Sequence, residues 1–416
     1  MKEIYSFSLH LFVVCPHGEN GMIKQKKAVC ISVLVLLLTH SIAISSPIKA
    51  SAEPYSPVHD AVFQRGMSYR HLPNPYDSSE SNESLARMAA VGVEYVALTV
   101  WWEQENVTST EIYRKLGWTA TDVELKCAVD KVHELGMKVM LKPMVCLAED
   151  DPWPGNIPPT AEWFRSYKEN ITNHYAVFAE ENDVELFCVG CEFWSTEKNV
   201  TQWQEIISDV RVRYSGSITY AVTLDHYEVV TWWDSLDYVG IDAYFPLTNK
   251  YDPTLEELKE AWSRIATDLE SWQTTVNKPV VFTEIGYRSG NGTNIVPWDW
   301  QTNMAIDLQE QVDCYEASFQ VLWNKPWFYG FYWWIWESDP EAGGPSNNDF
   351  TAQNKPVQYL ITTWYSCQKP TLNAQYEELL TKFNNIKPLL YIFILATMIL
   401  AATTIYFATR KPKIKP

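Results

Sequence analysis

Two glutamates each close a short apolar run, and they lie far apart in the chain. VELFCVGCE ends on Glu192 and KPVVFTE ends on Glu284. Runs of this length, rich in Val and Phe, read as strands buried on both faces. A carboxylate at the end of such a strand stands at the mouth of a sheet or barrel. Two carboxylates at one mouth are what hydrolysis of a glycosidic bond requires, one as acid/base and the other as nucleophile or second base. Side chains alternate along a strand, which puts Cys188 and Gly190 on the face of Glu192, and Val280 and Phe282 on the face of Glu284. Both sets are small or apolar, as an inward face demands.

The elements that must position this pair alternate along the chain. Strand-like runs cover 62–69, 94–102, 137–145, 184–192, 217–223, 237–245, 278–284 and 327–338. Helix-like stretches lie between them. Leu85, Met88 and Ala89 have helical spacing before Gly92, and Thr121 or Asp122 caps a helix that Gly136 stops. Further helices are expected over 160–182, 200–216, 254–276, 298–324 and 355–366, with a short one over 229–236. Strand–helix alternation implies a parallel sheet covered by helices, and eight such units imply a closed (β/α)8 TIM barrel. An open doubly wound sheet would bring a Gly-rich phosphate loop after the first strand, and Arg65-Gly66-Met67-Ser68 is no such loop. On a barrel the chemistry sits at the C-terminal strand ends. Glu192 then ends the fourth strand and Glu284 the seventh.

Several other residues join them at the mouth. Lys142 is a charge inside the apolar run MLKPMV, costly unless paired or facing the mouth. It reads either as a donor to sugar hydroxyls or as a structural ion pair. Trp101, Trp102 and His226 are further mouth candidates. Glu103, Asp225, Asp242, Glu337 and Asp339 read as solvated or helix-capping groups. The Cys188/Cys191 pair has no second C-x-x-C to partner it, and no H-E-x-x-H or other spaced ligand set is present, so no metal or other cofactor is implied.

From Phe63 to Ser366 the chain resembles clan A retaining glycoside hydrolases, most closely glycoside hydrolase family 113, whose members are chiefly endo-β-1,4-mannanases. The resemblance rests on the glutamates ending the fourth and seventh strands. It implies that Glu192 is the acid/base and Glu284 the nucleophile of a double displacement on a β-linked glycan: β-1,4-mannan first, xylan or glucan otherwise. It also implies that Tyr244, in IDAYFP, hydrogen-bonds the nucleophile. Trp334 and Trp336 would form the aromatic floor under the sugar. The chain departs from the wider clan at Cys191, where Asn usually precedes the acid/base; family 113 relatives also lack that Asn. Met144 stands where many relatives carry His.

The 416 residues carry a net charge of −18, the wrong sign for nucleic acid, which needs a basic surface, and for polyanionic polysaccharides. The 19 Trp and 23 Tyr offer flat apolar faces suited to sugar rings as well as to core packing. Lys24, Lys26 and Lys27 precede an apolar run and the small-residue exit Ala50-Ser51-Ala52, the pattern of a secretory signal. Residues 1–52 therefore read as an extension with a signal peptide or anchor. Residues 389–408 are uncharged and apolar, long enough to span a bilayer, and Arg410, Lys411, Lys413 and Lys415 mark the cytoplasmic side. The expected organisation is a hydrolase domain over 53–367, a juxtamembrane stalk over 368–387, a transmembrane helix over 388–409 and a basic tail over 410–416, with the catalytic domain at the cell surface. Six cysteines of the outer region permit disulfides. Cys188 and Cys191, about 10 Å apart on one strand, are beyond mutual reach. Two other roles remain open at this point: a catalytically inactive carbohydrate-binding barrel, and an enzyme trimming the cell's own surface glycans.

Overall fold

The apolar runs become the staves of one closed barrel. The computed structural model describes residues 63–148 and 153–366. The signal or anchor, stalk, transmembrane run and basic tail expected from sequence lie outside those residues. Among the described residues no helix is long and apolar enough to cross a membrane.

The strands are β1 (Gln64–Arg70), β2 (Tyr95–Gln104), β3 (Ile112–Tyr113), β4 (Lys138–Leu147), β5 (Leu186–Cys191), β6 (Ser217–Thr223), β7 (Val239–Asp242), β8 (Val280–Ile285) and β9 (Phe328–Glu337). All but β3 pair in parallel, and β9 returns to β1 while β1 pairs with β2, so the sheet closes. This is the (β/α)8 barrel that the alternation implies. β3 is an addition, a two-residue antiparallel strand on the end of β2.

The helices are α1 (Ser79–Ala90), α2 (Asp122–Glu134), α3 (Ala161–Tyr167), α4 (Asn173–Glu181), α5 (Val200–Arg213), α6 (Leu255–Val276), α7 (Leu308–Leu322) and α8 (Pro356–Ser366). Local chemistry sets their ends. Thr121 caps α2 and Glu124 reaches back to the Thr121 amide, a reciprocal capping box. Thr254 and Glu257 do the same for α6. The helix expected over 160–182 is interrupted by a π turn at Lys168–Thr172. The short helix expected over 229–236 shrinks to a 3₁₀ turn at Trp233–Ser235. The helix expected from Trp298 starts only at Leu308, where Asp307 accepts from the Gln309 and Glu310 amides. The loop before it is pinned from inside by Glu310, which accepts from the Gly292 and Asn294 amides.

Strict alternation fails at three places, and each failure shapes the mouth. The β5–β6 register shifts between Cys188 and Cys191. Gly190 therefore faces the helices: a Cβ there would sit 2.7 Å from the Tyr220 ring and 2.9 Å from the Trp203 ring. Cys191 turns inward instead, joining Cys188 and Met140 in the interior cluster. The registers around β8 shift beside Thr283. Phe282 packs outward on Trp262 of α6, so Val280 and Phe282 do not share the inward face assigned to them from sequence. Thr283 and Glu284 both turn in. A third shift, between β1 and β9, falls opposite Trp334 and Ile335, whose peptide bond is cis. A bulge adds one residue to a strand and re-aims the side chains beyond it. Here Trp334 stays at the mouth while Trp336, beyond the shift, turns outward.

Candidate active site

Glu284 sits at the C-terminal end of β8 with a separate partner for each carboxylate oxygen. Lys142 Nζ, from β4, donates to Oε1 at 2.6 Å, and Tyr244 OH, just past β7, donates to Oε2 at 2.7 Å. Lys142 also donates to Asp242 Oδ1 at 3.2 Å. Asp242 in turn accepts from Thr283 Oγ1 at 2.7 Å and from Cys191 Sγ at 3.4 Å. The sequence-based reading of Asp242 as a solvated group is therefore corrected: it is 1% exposed and shares the ammonium with Glu284. Lys142 is wholly enclosed. Of its two sequence readings the structure takes the ion pair, and no donor is left reaching into the mouth for a sugar hydroxyl.

The electrostatics follow from this packing. Burial opposes the charge on Lys142, but the Asp242 and Glu284 carboxylates outweigh it and hold its pKa well above the ordinary lysine value. Burial, then the Asp242 charge, push Glu284 up to about 7, with Lys142 and Tyr244 pulling the other way. Burial and the Glu284 charge keep the Tyr244 phenol protonated and thus a donor. Burial keeps Cys191 a thiol.

Glu192 has a different setting. It follows β5 in the left-handed region at φ 56°, a conformation costly for a long side chain. Its amide is fixed to the Ala221 carbonyl of β6 at 2.9 Å. Among the described residues its carboxyl accepts from a neutral donor, Trp153 Nε1 at 3.0 Å from Oε2. Burial, followed by the Asp242 and Glu284 charges, drives its pKa well above the usual carboxylate value. Both glutamates are raised, but among the described residues only Glu284 of the two touches a cation. Environments that push two acids apart in this way mark which holds the proton and which is ionised.

Cys191, Asp242 and Glu284 have donor atoms within 4.8 Å of one another, which is ligand spacing for a metal. The Lys142 ammonium, bonded to both carboxylates, already supplies the positive charge at that point.

Of the aromatics, Trp334 and Trp101 meet edge to face at 6.2 Å, and Trp118 lies 6.4 Å beyond Trp101. Trp334 also packs beside Tyr244 and Phe350. Trp336 and Trp102 correct the sequence reading. Trp336 is 1% exposed, and its indole N–H bonds Ser84 of α1 at 2.9 Å. Trp102 points outward to Tyr175 of α4, with the Arg114 guanidinium over its ring. His226 is buried and does not offer its ring to the mouth. Its Nδ1 bonds Glu197 Oε2, and its face carries Trp194. Two further groups read as solvated are also corrected: Glu103 pairs with Lys115, and Glu337 with Arg70, both inside the surface.

Comparisons with known proteins decide the family. The model of Glycoside Hydrolase Family 113 matches residues 67–355. The chain belongs to glycoside hydrolase family 113. A GH113 β-1,4-mannanase solved as a complex gives a TM-score of 0.67 at 29% identity, covering 74% of this chain and 99% of that one. The GH113 β-mannanase AaManA from Alicyclobacillus acidocaldarius, in complex with ManMIm, also gives 0.67 at 29% identity, covering 74% and 98%. A β-glucuronidase from Ruminococcus gnavus, at 12% identity and a TM-score of 0.51, covers 73% of this chain and 49% of that one and shares the fold alone. No curated protein sequence matches.

Sequence reading of this glycoside hydrolase missed three groups at the site: Asp242, Trp153 and Glu197. Asp242 carried a usable signal, because VGIDAYF places a charge inside an apolar run, as MLKPMV does for Lys142. Two opposite charges of that kind are candidates for each other. Trp153 lies in a loop and Glu197 in a turn, where no periodicity points at the mouth.

Proposed function

We propose that this enzyme is a retaining endo-β-1,4-mannanase in which Glu284 is the nucleophile and Glu192 the acid/base. The observation that carries the reading is the asymmetry of the two carboxyls. Glu284 is hydrogen-bonded by Lys142 and Tyr244, whereas among the described residues the Glu192 carboxyl accepts from the neutral Trp153 N–H. The mannanases among the structural neighbours favour mannan as the polymer.

In the first step a Glu284 oxygen attacks the anomeric carbon through an oxocarbenium-like transition state. The bond to the leaving oxygen breaks, and that oxygen takes the Glu192 proton. In the second step Glu192, now a carboxylate, removes a proton from water. The resulting hydroxide oxygen displaces Glu284, and the sugar leaves with its original anomeric configuration. Lys142 and Tyr244 hold the attacking carboxylate ionised and oriented. Trp334 underlies the ring at the cleaved bond, with Trp101 beside it. The apolar segment 389–408 with its basic flank supports action at the cell surface on a membrane tether. Surface labelling of the full chain in intact cells checks that placement.

The test is hydrolysis of a β-linked polysaccharide panel, with product anomers followed by NMR and Glu284→Ala assayed with added azide. Retention on mannan and azide rescue as a glycosyl azide of inverted configuration are expected. Full activity of Glu284→Ala without azide overturns the assignment. Binding without turnover by the intact protein favours the inactive carbohydrate-binding reading.

A further inference from the structure

Trp194 is an exposed indole, 40% accessible, two residues past Glu192. A lone exposed Trp is ordinary, but this one is held from several sides. Its ring stacks on His226 with centroids 4.3 Å apart and planes 18° from parallel. His226 is fixed from behind by its Nδ1 bond to Glu197. Glu197 is buried, accepts from Tyr220 OH at 2.9 Å, and its carbonyl accepts from Trp232 Nε1 at 3.0 Å. The 3₁₀ turn Trp194–Thr196 is tied down again where Trp203 Nε1 donates to the Thr196 carbonyl at 3.1 Å. The turn just after Trp153 packs against it.

Burial pushes the Glu197 carboxyl up to about 8 and the His226 ring down. The brace beneath Trp194 carries no net charge whichever of the two holds the shared proton. An indole clamped on one face, with its surface partly open, loses little freedom when an apolar sugar face settles on it.

Position assigns the ligand. Trp334 packs beside Tyr244, which bonds the proposed nucleophile, and Trp101 and Trp118 continue outward from Trp334 in turn. Trp153 instead bonds Glu192, the group proposed to protonate the departing oxygen, and Trp194 opens the turn two residues after Glu192 that packs against the turn following Trp153. We propose that the Trp194 indole, braced by His226 and Glu197, is the stacking platform for the first sugar on the leaving-group side of the cleaved bond, taking a β-linked pyranose ring. This rests on the acid/base role proposed for Glu192.

The experiment compares mannotetraose, whose leaving group is a sugar, with β-mannobiosyl fluoride, whose leaving group is fluoride and makes no use of the platform. For Trp194→Ala the ratio of kcat/KM on mannotetraose to that on the fluoride is expected to fall roughly tenfold, the size of a single aromatic stack. Trp194→Phe should recover part of the ratio. His226→Ala, which removes the brace but not the indole, should lower it in the same direction, with Tm recorded to show that each variant is folded. A ratio unchanged in Trp194→Ala overturns the platform. Equal losses on both substrates overturn it too, since they place Trp194 in the chemistry or the fold. A wild type that turns over neither substrate overturns the functional reading itself, and the platform with it.

Discussion

Lys142 Nζ lies 2.6 Å from Glu284 Oε1 with both side chains enclosed, and the same ammonium reaches Asp242 across the barrel axis. One cation from β4 therefore joins the sixth and seventh barrel strands at the carboxylate proposed as nucleophile. Removing one partner of a buried ion pair leaves the other charge uncompensated, which costs about 3–5 kcal/mol of stability.

Lys142→Met should accordingly lower Tm and cut kcat/KM on mannan by about 10²–10³-fold, the usual cost of losing one preorganised donor. The loss should depend on pH. Lys142 pulls the Glu284 pKa down, so without it Glu284 ionises only at higher pH and the deficit narrows as pH rises. Rate profiles from acid to alkaline pH check this. A deficit that is constant across pH makes Lys142 a purely structural residue.

Asp242→Asn should act in the opposite direction. The Asp242 charge is, after burial, the largest influence raising Glu284, whose pKa is about 7. The nucleophile role proposed for Glu284 needs it ionised, so in the wild type kcat/KM should fall as pH drops through about 7. With Asn at 242 that acid limb should move to lower pH. The measurement is the pH dependence of kcat/KM, which reports the free enzyme. The apparent values belong to the interacting carboxyls together, not to one residue.

Trp334 and Trp336 should separate function from stability. Trp336→Phe loses the indole bond to Ser84 and some buried volume, for about 1–3 kcal/mol of destabilisation, with KM unchanged. Trp334→Ala, at the partly open mouth, should raise KM or lower kcat on mannan while shifting Tm much less. Calorimetry and steady-state kinetics on the two variants check this. Reversed outcomes would return Trp336 to the sugar floor.

The difference between those two tryptophans also shows where sequence reasoning stops. The barrel was legible because eight apolar runs alternate with helical spacing, and the two glutamates because each ends such a run. The faces were legible only while the period stayed at two. Cys188 to Cys191, Thr283 and Trp334–Ile335 each insert a residue, and nothing in their side-chain types announces it. Gly190 is the partial exception, since a glycine within a strand often marks a bulge or a close approach. Trp102 is a different case: alternation alone already forbade it from sharing the mouth with Trp101. Asp242 and Lys142 were each visible as a misplaced charge, but their pairing depends on the barrel bringing β4 and β7 across from one another. His226 was a mouth candidate, and only the fold shows its ring held by Glu197.

Trp153 offers a last and more discriminating prediction, because its indole N–H bonds the carboxyl proposed as acid/base. Its indole N–H donates to Glu192 Oε2 at 3.0 Å, a bond that favours the ionised carboxylate and so lowers a pKa that burial has raised. Trp153→Phe keeps a ring there but removes the donor. Glu192 should then hold its proton to still higher pH, and the alkaline limb of kcat/KM should move up while the acid limb, set by Glu284, stays in place. The second step depends on ionised Glu192 taking a proton from water, and the lost bond also stabilised that form. On β-mannobiosyl fluoride, which needs no protonation to leave, deglycosylation should become slower relative to glycosylation and the glycosyl-enzyme should accumulate. Pre-steady-state release of fluoride reads this directly as a larger burst. If both limbs shift together, or no burst grows, the Trp153 contact does not act on the acid/base, and the assignment of separate roles to the two glutamates loses its independent support.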